Sequence, residues 1–74
     1  MTLGERIRKI RLEKGKTVTF VSKKLGYESS SSLSGIESGK FGLDAERIPK
    51  LLEALEVTYD ELFFEENKGE TRSL

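Results

Sequence analysis

Residues 17–40 read TVTFVSKKLGYESSSSLSGIESGK, and the fold depends on them more than on any other part of the chain. Thr17 is placed to cap a short second helix, in which Val21 and Leu25 lie four residues apart and so share one face. Gly26 follows in the position where helices commonly end. The first half of this stretch therefore predicts a helix of about two turns.

The second half of the stretch is rich in serine, which has little helix propensity. Leu33 and Ile36 nevertheless lie three residues apart, and Gly39 is suited to end a helix. We therefore expect a weak third helix near residues 30–38. The alternative is a flexible serine-rich linker, which would not place two aliphatic residues at helical spacing in so short a chain.

Upstream of this stretch the pattern predicts a first helix over residues 3–14. Thr2 and Glu5 have the spacing of a capping box. Three aliphatic residues then recur at helical intervals: Leu3, Ile7 and Ile10. The polar side of this helix is expected to carry four basic residues: Arg6, Arg8, Lys9 and Arg11.

Downstream, two further helices are expected. Asp44 is placed to cap a fourth helix with a broad apolar stripe formed by Ile48, Leu51, Leu52 and Leu55. Pro49 removes one backbone donor and is expected to bend this helix or delay its start. Thr58 and Glu61 repeat the capping-box spacing and open a fifth, short helix that contains Leu62, Phe63 and Phe64.

The organisation that follows is all-α: a compact five-helix domain over residues 1–64. Residues 65–74 read EENKGETRSL, with one apolar residue in ten, and are expected to form a disordered tail. A chain of 74 residues has room for one domain.

Composition excludes several classes of function. The chain has no cysteine and no histidine, so disulfides, thiolate chemistry and the commonest metal ligand and general base are missing. The serines at 29–32 therefore have no histidine to activate them, and we expect no enzyme, metal, cofactor or small-molecule substrate. No apolar run approaches the roughly 18 residues that span a bilayer, and the charged N-terminus is unlike a signal peptide, so we expect no membrane contact and a cytoplasmic protein.

The net charge is zero, but the charge is unevenly distributed along the chain. Residues 1–26 carry eight Lys and Arg against two Glu, whereas residues 41–74 carry four basic and nine acidic residues. An anionic polymer would approach the cationic N-terminal half. The alternative is that these charges form ordinary solvated helix faces.

The chain resembles the helix-turn-helix family of phage repressors and Cro proteins. The residues that carry the resemblance are LGERIRKIRLEKGKT at 3–17, KKLG at 23–26, LSGIESGK at 33–40 and LLEALEVTYDELF at 51–63. The resemblance implies a repressor-like domain that binds double-stranded DNA as a homodimer and lays its third helix, about residues 30–37, in the major groove. The implied function is a transcriptional regulator, with repression as the expected activity.

The resemblance also implies roles for individual residues. Arg11 and Glu37 occupy the places of a buried ion pair, and Thr17 caps the helix whose amides face a phosphate. The base-reading positions fall on Ser30, Ser31 and Gly35, with Ser32 and Ser34 beside them. Lys40 stands where the loop after the third helix touches the sugar-phosphate backbone.

The sequence departs from the family pattern at several points. Val18, within the expected interface, replaces a glutamine that touches phosphate, and one extra residue between Gly26 and Leu33 lengthens the turn. Phe20 replaces an exposed polar residue, so it either fills a gap beside Val18 or contacts a partner chain. One of Phe63 and Phe64 is expected in the core and the other at a dimer surface.

These departures leave a second hypothesis open. The serine-rich third helix, Val18 and the balanced net charge also suit a protein-interaction module on the same fold, such as an antirepressor or an antitoxin-like partner, in which DNA reading is weakened. A partner in a pull-down, without salt-sensitive DNA binding, would favour that hypothesis.

Overall fold

The computed structural model describes residues 1–64, which fold into α-helices and one short 3₁₀ turn with no strand in that range. The predicted all-α fold of five helices is confirmed. In chain order the helices are α1 (Leu3–Glu13), α2 (Val18–Lys24), α3 (Ser30–Glu37), α4 (Ile48–Leu55) and α5 (Tyr59–Phe63). The expected tail at 65–74 lies outside the described residues.

Both predicted capping boxes are present. The Thr2 hydroxyl accepts the backbone N–H of Glu5 at 3.1 Å, and the Glu5 carboxylate accepts the backbone N–H of Thr2 at 2.9 Å. Thr58 and Glu61 exchange the same two bonds at 3.1 and 2.8 Å at the start of α5. These side chains satisfy backbone donors that a helix start leaves without partners, which explains why both predicted helix starts are confirmed.

The serine-rich segment forms a helix, so the linker alternative is wrong. The N-cap of α3 is Ser29, whose hydroxyl accepts the backbone N–H of Ser31 at 3.1 Å. Gly39 follows the helix with a φ of 87°, a left-handed conformation that glycine adopts without strain. Local caps at both ends, together with buried Leu33 and Ile36, compensate for the low helix propensity of the serines.

The predicted role of Asp44 as the cap of the fourth helix is wrong. Its side chain makes no capping bond, and its carboxylate instead accepts from Arg47 Nη1 at 2.6 Å. Residues Ala45–Arg47 form a 3₁₀ turn, and α4 begins only at Ile48 with Pro49 in its first turn. The predicted delay of this helix is therefore confirmed. Proline is tolerated in the first turn because the amides there have no intrahelical partner.

The core lies where the five helices meet. Its buried members are all aliphatic: Ile7, Ile10, Val21, Leu25, Leu33, Ile36, Leu51, Ala54, Leu55 and Leu62. The predicted stripe of α4 is narrower than expected, since Ile48 and Leu52 are only half-buried and Ala54 takes a buried place.

Of the four basic residues on the polar side of α1, Arg8 and Lys9 are exposed, whereas Arg6 and Arg11 are buried. Burial of Arg11 agrees with the ion pair that the resemblance implied, and burial of Arg6 was not predicted. Arg6 Nη1 donates to the backbone carbonyl of Leu62 at 2.9 Å and so connects α1 to α5. Helical periodicity does not show which polar residues the packing of α3 and α5 against α1 will cover. Arginine tolerates such burial when its N–H donors find fixed acceptors, as Arg6 does at the Leu62 carbonyl and Arg11 does at Glu37 and the Lys16 carbonyl.

Candidate nucleic-acid interface

Helices α2 and α3 are joined by residues 25–29, and together they form a helix-turn-helix unit. The turn is anchored at Tyr27, whose backbone N–H donates to the Ser22 carbonyl at 3.0 Å. The Tyr27 ring lies under the Arg47 guanidinium, 4.2 Å from ring centroid to Cζ, and Arg47 Nε donates to the Leu25 carbonyl at 3.0 Å. These contacts hold the turn, and α3 begins at the predicted Ser30.

Helix α3 turns one face inward and a hydroxyl-rich face outward. Leu33 and Ile36 belong to the core, whereas three of the predicted base-reading or flanking serines are exposed: Ser30, Ser31 and Ser34. Ser32 is half-buried. The outward face therefore offers small hydroxyl donors and acceptors and no long side chain.

The C-terminal end of α3 is held by a buried ion pair with α1. Arg11 Nε donates to Glu37 Oε2 at 2.7 Å and Nη2 donates to Oε1 at 3.1 Å, a two-point geometry. Arg11 Nη1 also donates to the backbone carbonyl of Lys16 at 3.0 Å. Arg11 and Glu37 are each 7% exposed. One guanidinium thus positions α3 and the segment entering α2 against α1.

Thr17 and Val18 stand at the start of α2. The Thr17 hydroxyl accepts the backbone N–H of Phe20 at 3.0 Å, so it has a capping role whether or not DNA is present. Val18 is half-buried and packs against the core. The valine therefore contributes packing at a position where the resemblance implied a polar phosphate contact.

Phe20 is on the surface, with 39% of its area exposed. Lys16 Nζ lies 5.1 Å and Lys24 Nζ 5.8 Å from the centre of its ring, within the range of cation–π contacts. Phe20 is not among the residues that pack against the core. Filling a gap beside Val18 and contacting a partner chain therefore both stay predictions.

Gly35 is buried although the resemblance places it among the base readers. A Cβ atom at Gly35 would overlap the Cδ2 and Cε2 atoms of the Phe41 ring, so Phe41 fills the space that a side chain at position 35 would take. Sequence reasoning missed Phe41. The available signal was a glycine inside a predicted helix, followed six residues later by an aromatic residue in a polar loop.

An open groove runs between α3 and the loop that follows it. Its lining residues are Ser31, Ser34, Gly35, Ser38, Lys40 and Phe41. Lys40 is exposed, and its Nζ lies 5.9 Å from the centre of the Phe41 ring. Among the described residues, no ion pair engages Lys40, so its charge remains available to an anion.

The aromatic residues of the α5 region form a second surface feature. The ring of Tyr59 lies 4.4 Å from that of Phe63 and 6.3 Å from that of Phe64, measured between centroids. Phe63 packs against the core, whereas Phe64 is 49% exposed. The expected division between one core residue and one surface residue fits this arrangement, and the dimer role of Phe64 stays a prediction.

A family model described as a helix-turn-helix domain matches residues 4–68. This match covers most of the chain, so the protein belongs to that family of DNA-binding regulators of the phage-repressor-like kind, which is typically non-enzymatic. No significant match is found among curated proteins or among solved structures. Within residues 1–64, none of the helices has the length and apolar character needed to cross a membrane.

Proposed function

We propose that this chain is a sequence-specific transcriptional repressor that binds double-stranded DNA as a homodimer and works in the cytoplasm without catalysis. The observation that carries the proposal is the position of α3 within the helix-turn-helix unit. Its serine face is exposed, while its inner face and its Glu37 carboxylate are fixed against the rest of the domain. Helix-turn-helix proteins place the second helix of this unit, here α3, in the major groove.

The proposed interface has two kinds of contact, one to phosphates and one to base edges. Lys40, together with the backbone amides at the start of α2 after Thr17, contacts phosphate and sets affinity and register. Ser30, Ser31 and Ser34 reach base edges, with Ser32 beside them. A hydroxyl makes no bidentate pair with a base, so we expect modest direct readout, supplemented by sequence-dependent DNA shape.

The test is fluorescence anisotropy of a duplex DNA pool with the native chain across about 50 to 200 mM salt. Binding that falls steeply with salt supports the proposal. Lys40→Ala should weaken binding equally for all sequences and lower the salt slope by about 1, whereas Ser31→Ala should change sequence preference. Lys50→Ala is the matched control, because Lys50 is exposed but does not line the groove.

The homodimer is tested separately, by sedimentation of the free chain and of its DNA complex. Two exposed rings are candidates for the interface, Phe20 and Phe64. We expect either Phe20→Ser or Phe64→Ser to remove the dimer. The other of the two variants should have no effect on it. A chain that stays monomeric on a palindromic duplex would contradict the dimer.

One set of observations favours a second function, that of a protein-interaction module. Val18 faces the core, Gly35 lies beneath Phe41, and the exposed side chains of α3 are small. If no duplex binds at low salt and a protein partner is captured instead, this second function replaces the first.

A further inference from the structure

The loop after α3 is fastened to the middle of that helix. The backbone N–H groups of Lys40 and Phe41 both donate to the Gly35 carbonyl, at 2.8 and 3.1 Å, and the Ser38 hydroxyl donates to the same oxygen at 3.1 Å. The Phe41 ring then lies against Gly35, in the space that the missing side chain leaves. These contacts give the ring a defined position relative to α3.

Phe41 is not closed off by these contacts, since the residue is 52% exposed. Beside it in the same groove are the exposed hydroxyls of Ser31 and Ser34, and Lys40 stands at the rim. The groove therefore combines an apolar surface, two hydrogen-bonding hydroxyls and one cation.

In the major groove this combination of groups matches the thymine of an A·T base pair. Thymine presents an O4 acceptor next to a 5-methyl group, and no other unmodified DNA base offers a methyl there. A serine hydroxyl donates to O4, an apolar ring contacts the methyl, and a lysine at the rim meets the anionic backbone.

We propose that Phe41 is a specificity-determining residue whose ring, seated in the notch at Gly35, contacts thymine 5-methyl groups in the bound DNA. The inference rests on the proposed function, because it needs α3 to lie in the major groove. It assigns the apolar part of sequence reading to the loop after α3 and the polar part to the serines. Gly35 itself reads nothing and makes room for the ring.

The experiment begins with selection of duplexes from a randomised pool by the native chain. Each thymine of a selected duplex is then replaced singly by uracil, which lacks only the methyl group. Burial of one methyl predicts a loss of about fourfold in affinity at one or two positions. For Phe41→Ser, the thymine and uracil duplexes should bind equally at those positions.

Gly35→Ala is the second variant. It keeps Phe41 but adds the Cβ that overlaps the ring, so the ring must move. Alanine favours a helix more than glycine does, so α3 is retained, and thermal unfolding monitored by circular dichroism checks both variants. We expect Gly35→Ala to lose the dependence on the thymine methyl although the ring is still present.

Lys40→Ala is the control, because loss of a phosphate contact should weaken the thymine and uracil duplexes equally. Two results with DNA-binding protein would overturn the inference about Phe41 and leave the proposed DNA binding intact. In the first, uracil substitution has no effect on the native chain at any position. In the second, it lowers the affinity of the native chain and of Phe41→Ser by the same factor. If no duplex binds even at low salt, the proposed function fails, and the inference fails with it.

Discussion

Arg11 and Glu37, twenty-six residues apart in sequence, meet in a two-point ion pair with N···O distances of 2.7 and 3.1 Å. The pair connects α1 with the last turn of α3, and both side chains are almost fully removed from solvent. Since α3 carries the proposed reading face, this contact links the stability of the domain to the placement of that face. It is therefore the natural place for a first test.

Arg11→Met should lower the free energy of unfolding by about 3–5 kcal/mol, because it leaves the Glu37 carboxylate buried without its cation. The double variant Arg11→Met with Glu37→Leu should recover most of that loss, since both buried charges are then gone. Urea unfolding followed by circular dichroism measures both.

The control for this prediction is the exposed pair of Lys9 and Glu13, 4.0 Å apart on the same helix. Lys9→Ala should change stability by no more than about 0.5 kcal/mol. A cost for Arg11→Met as small as that of Lys9→Ala would show that the buried pair contributes little to folding.

Gly4→Ala should destabilise the domain, because at Gly4 the backbone of α1 lies against the end of α3. A Cβ there would overlap the carbonyl oxygen of Ile36 and lie 2.6 Å from that of Glu37, and backbone atoms cannot move aside as a flexible side chain can. We expect a loss of about 1–3 kcal/mol from the overlap, reduced by up to about 1 kcal/mol through the helix preference of alanine.

Gly42→Ala is the matched control, since nothing lies within 4 Å of a Cβ built there and its φ is not in the left-handed region. This variant should be neutral or slightly stabilising in the same unfolding experiment. Equal effects at the two glycines would contradict a close contact between α1 and α3.

Ser22→Ala should stabilise the domain by about 1 kcal/mol. Ser22 is 2% exposed on α2, and among residues 1–64 its hydroxyl finds no hydrogen-bond partner. Alanine removes the desolvated hydroxyl while keeping nearly the same volume. Thr19→Ala, at an exposed position of the same helix, controls for the helix preference of alanine. A loss of stability in Ser22→Ala would show that the hydroxyl does have a partner.

Features that depend on neighbours in the sequence were predictable. The capping boxes at Thr2 and Thr58 involve residues three positions apart, and the third helix followed from the spacing of Leu33 and Ile36. The placement of Arg11 and Glu37 in one ion pair came from the resemblance to phage repressors. Periodicity alone would have left Arg11 on a solvated helix face.

Features that depend on contacts between distant segments were not predictable. Arg6 is buried where it reaches α5, and one of its acceptors is the Leu62 backbone oxygen, which no side-chain pattern reveals. Asp44 was mispredicted for a local reason, because a 3₁₀ turn brings its carboxylate to Arg47, three residues on, in place of the helix start. Phe41 covers Gly35 through the loop geometry after Gly39. The candidate interface therefore needed the structure for its apolar part.

Ser29 offers a way to separate the stability of α3 from its contact with DNA. Its exposed hydroxyl caps the helix by accepting the N–H of Ser31, so Ser29→Ala should cost about 1 kcal/mol and weaken DNA binding through fraying of the first turn. Ser29→Asn keeps a capping oxygen without charge and should resemble the native chain in both respects.

Ser29→Asp is the decisive variant, because it caps the helix as well as serine does and adds a negative charge that the helix dipole favours. Stability should therefore be retained or raised. If the first turn of α3 lies in the major groove as proposed, between two rows of phosphates, the same charge should weaken duplex binding by about fivefold at low salt, and less as salt screens it. Urea unfolding and anisotropy on one preparation measure both quantities. Native-like DNA affinity in Ser29→Asp would place the start of α3 away from the DNA backbone and contradict the proposed docking.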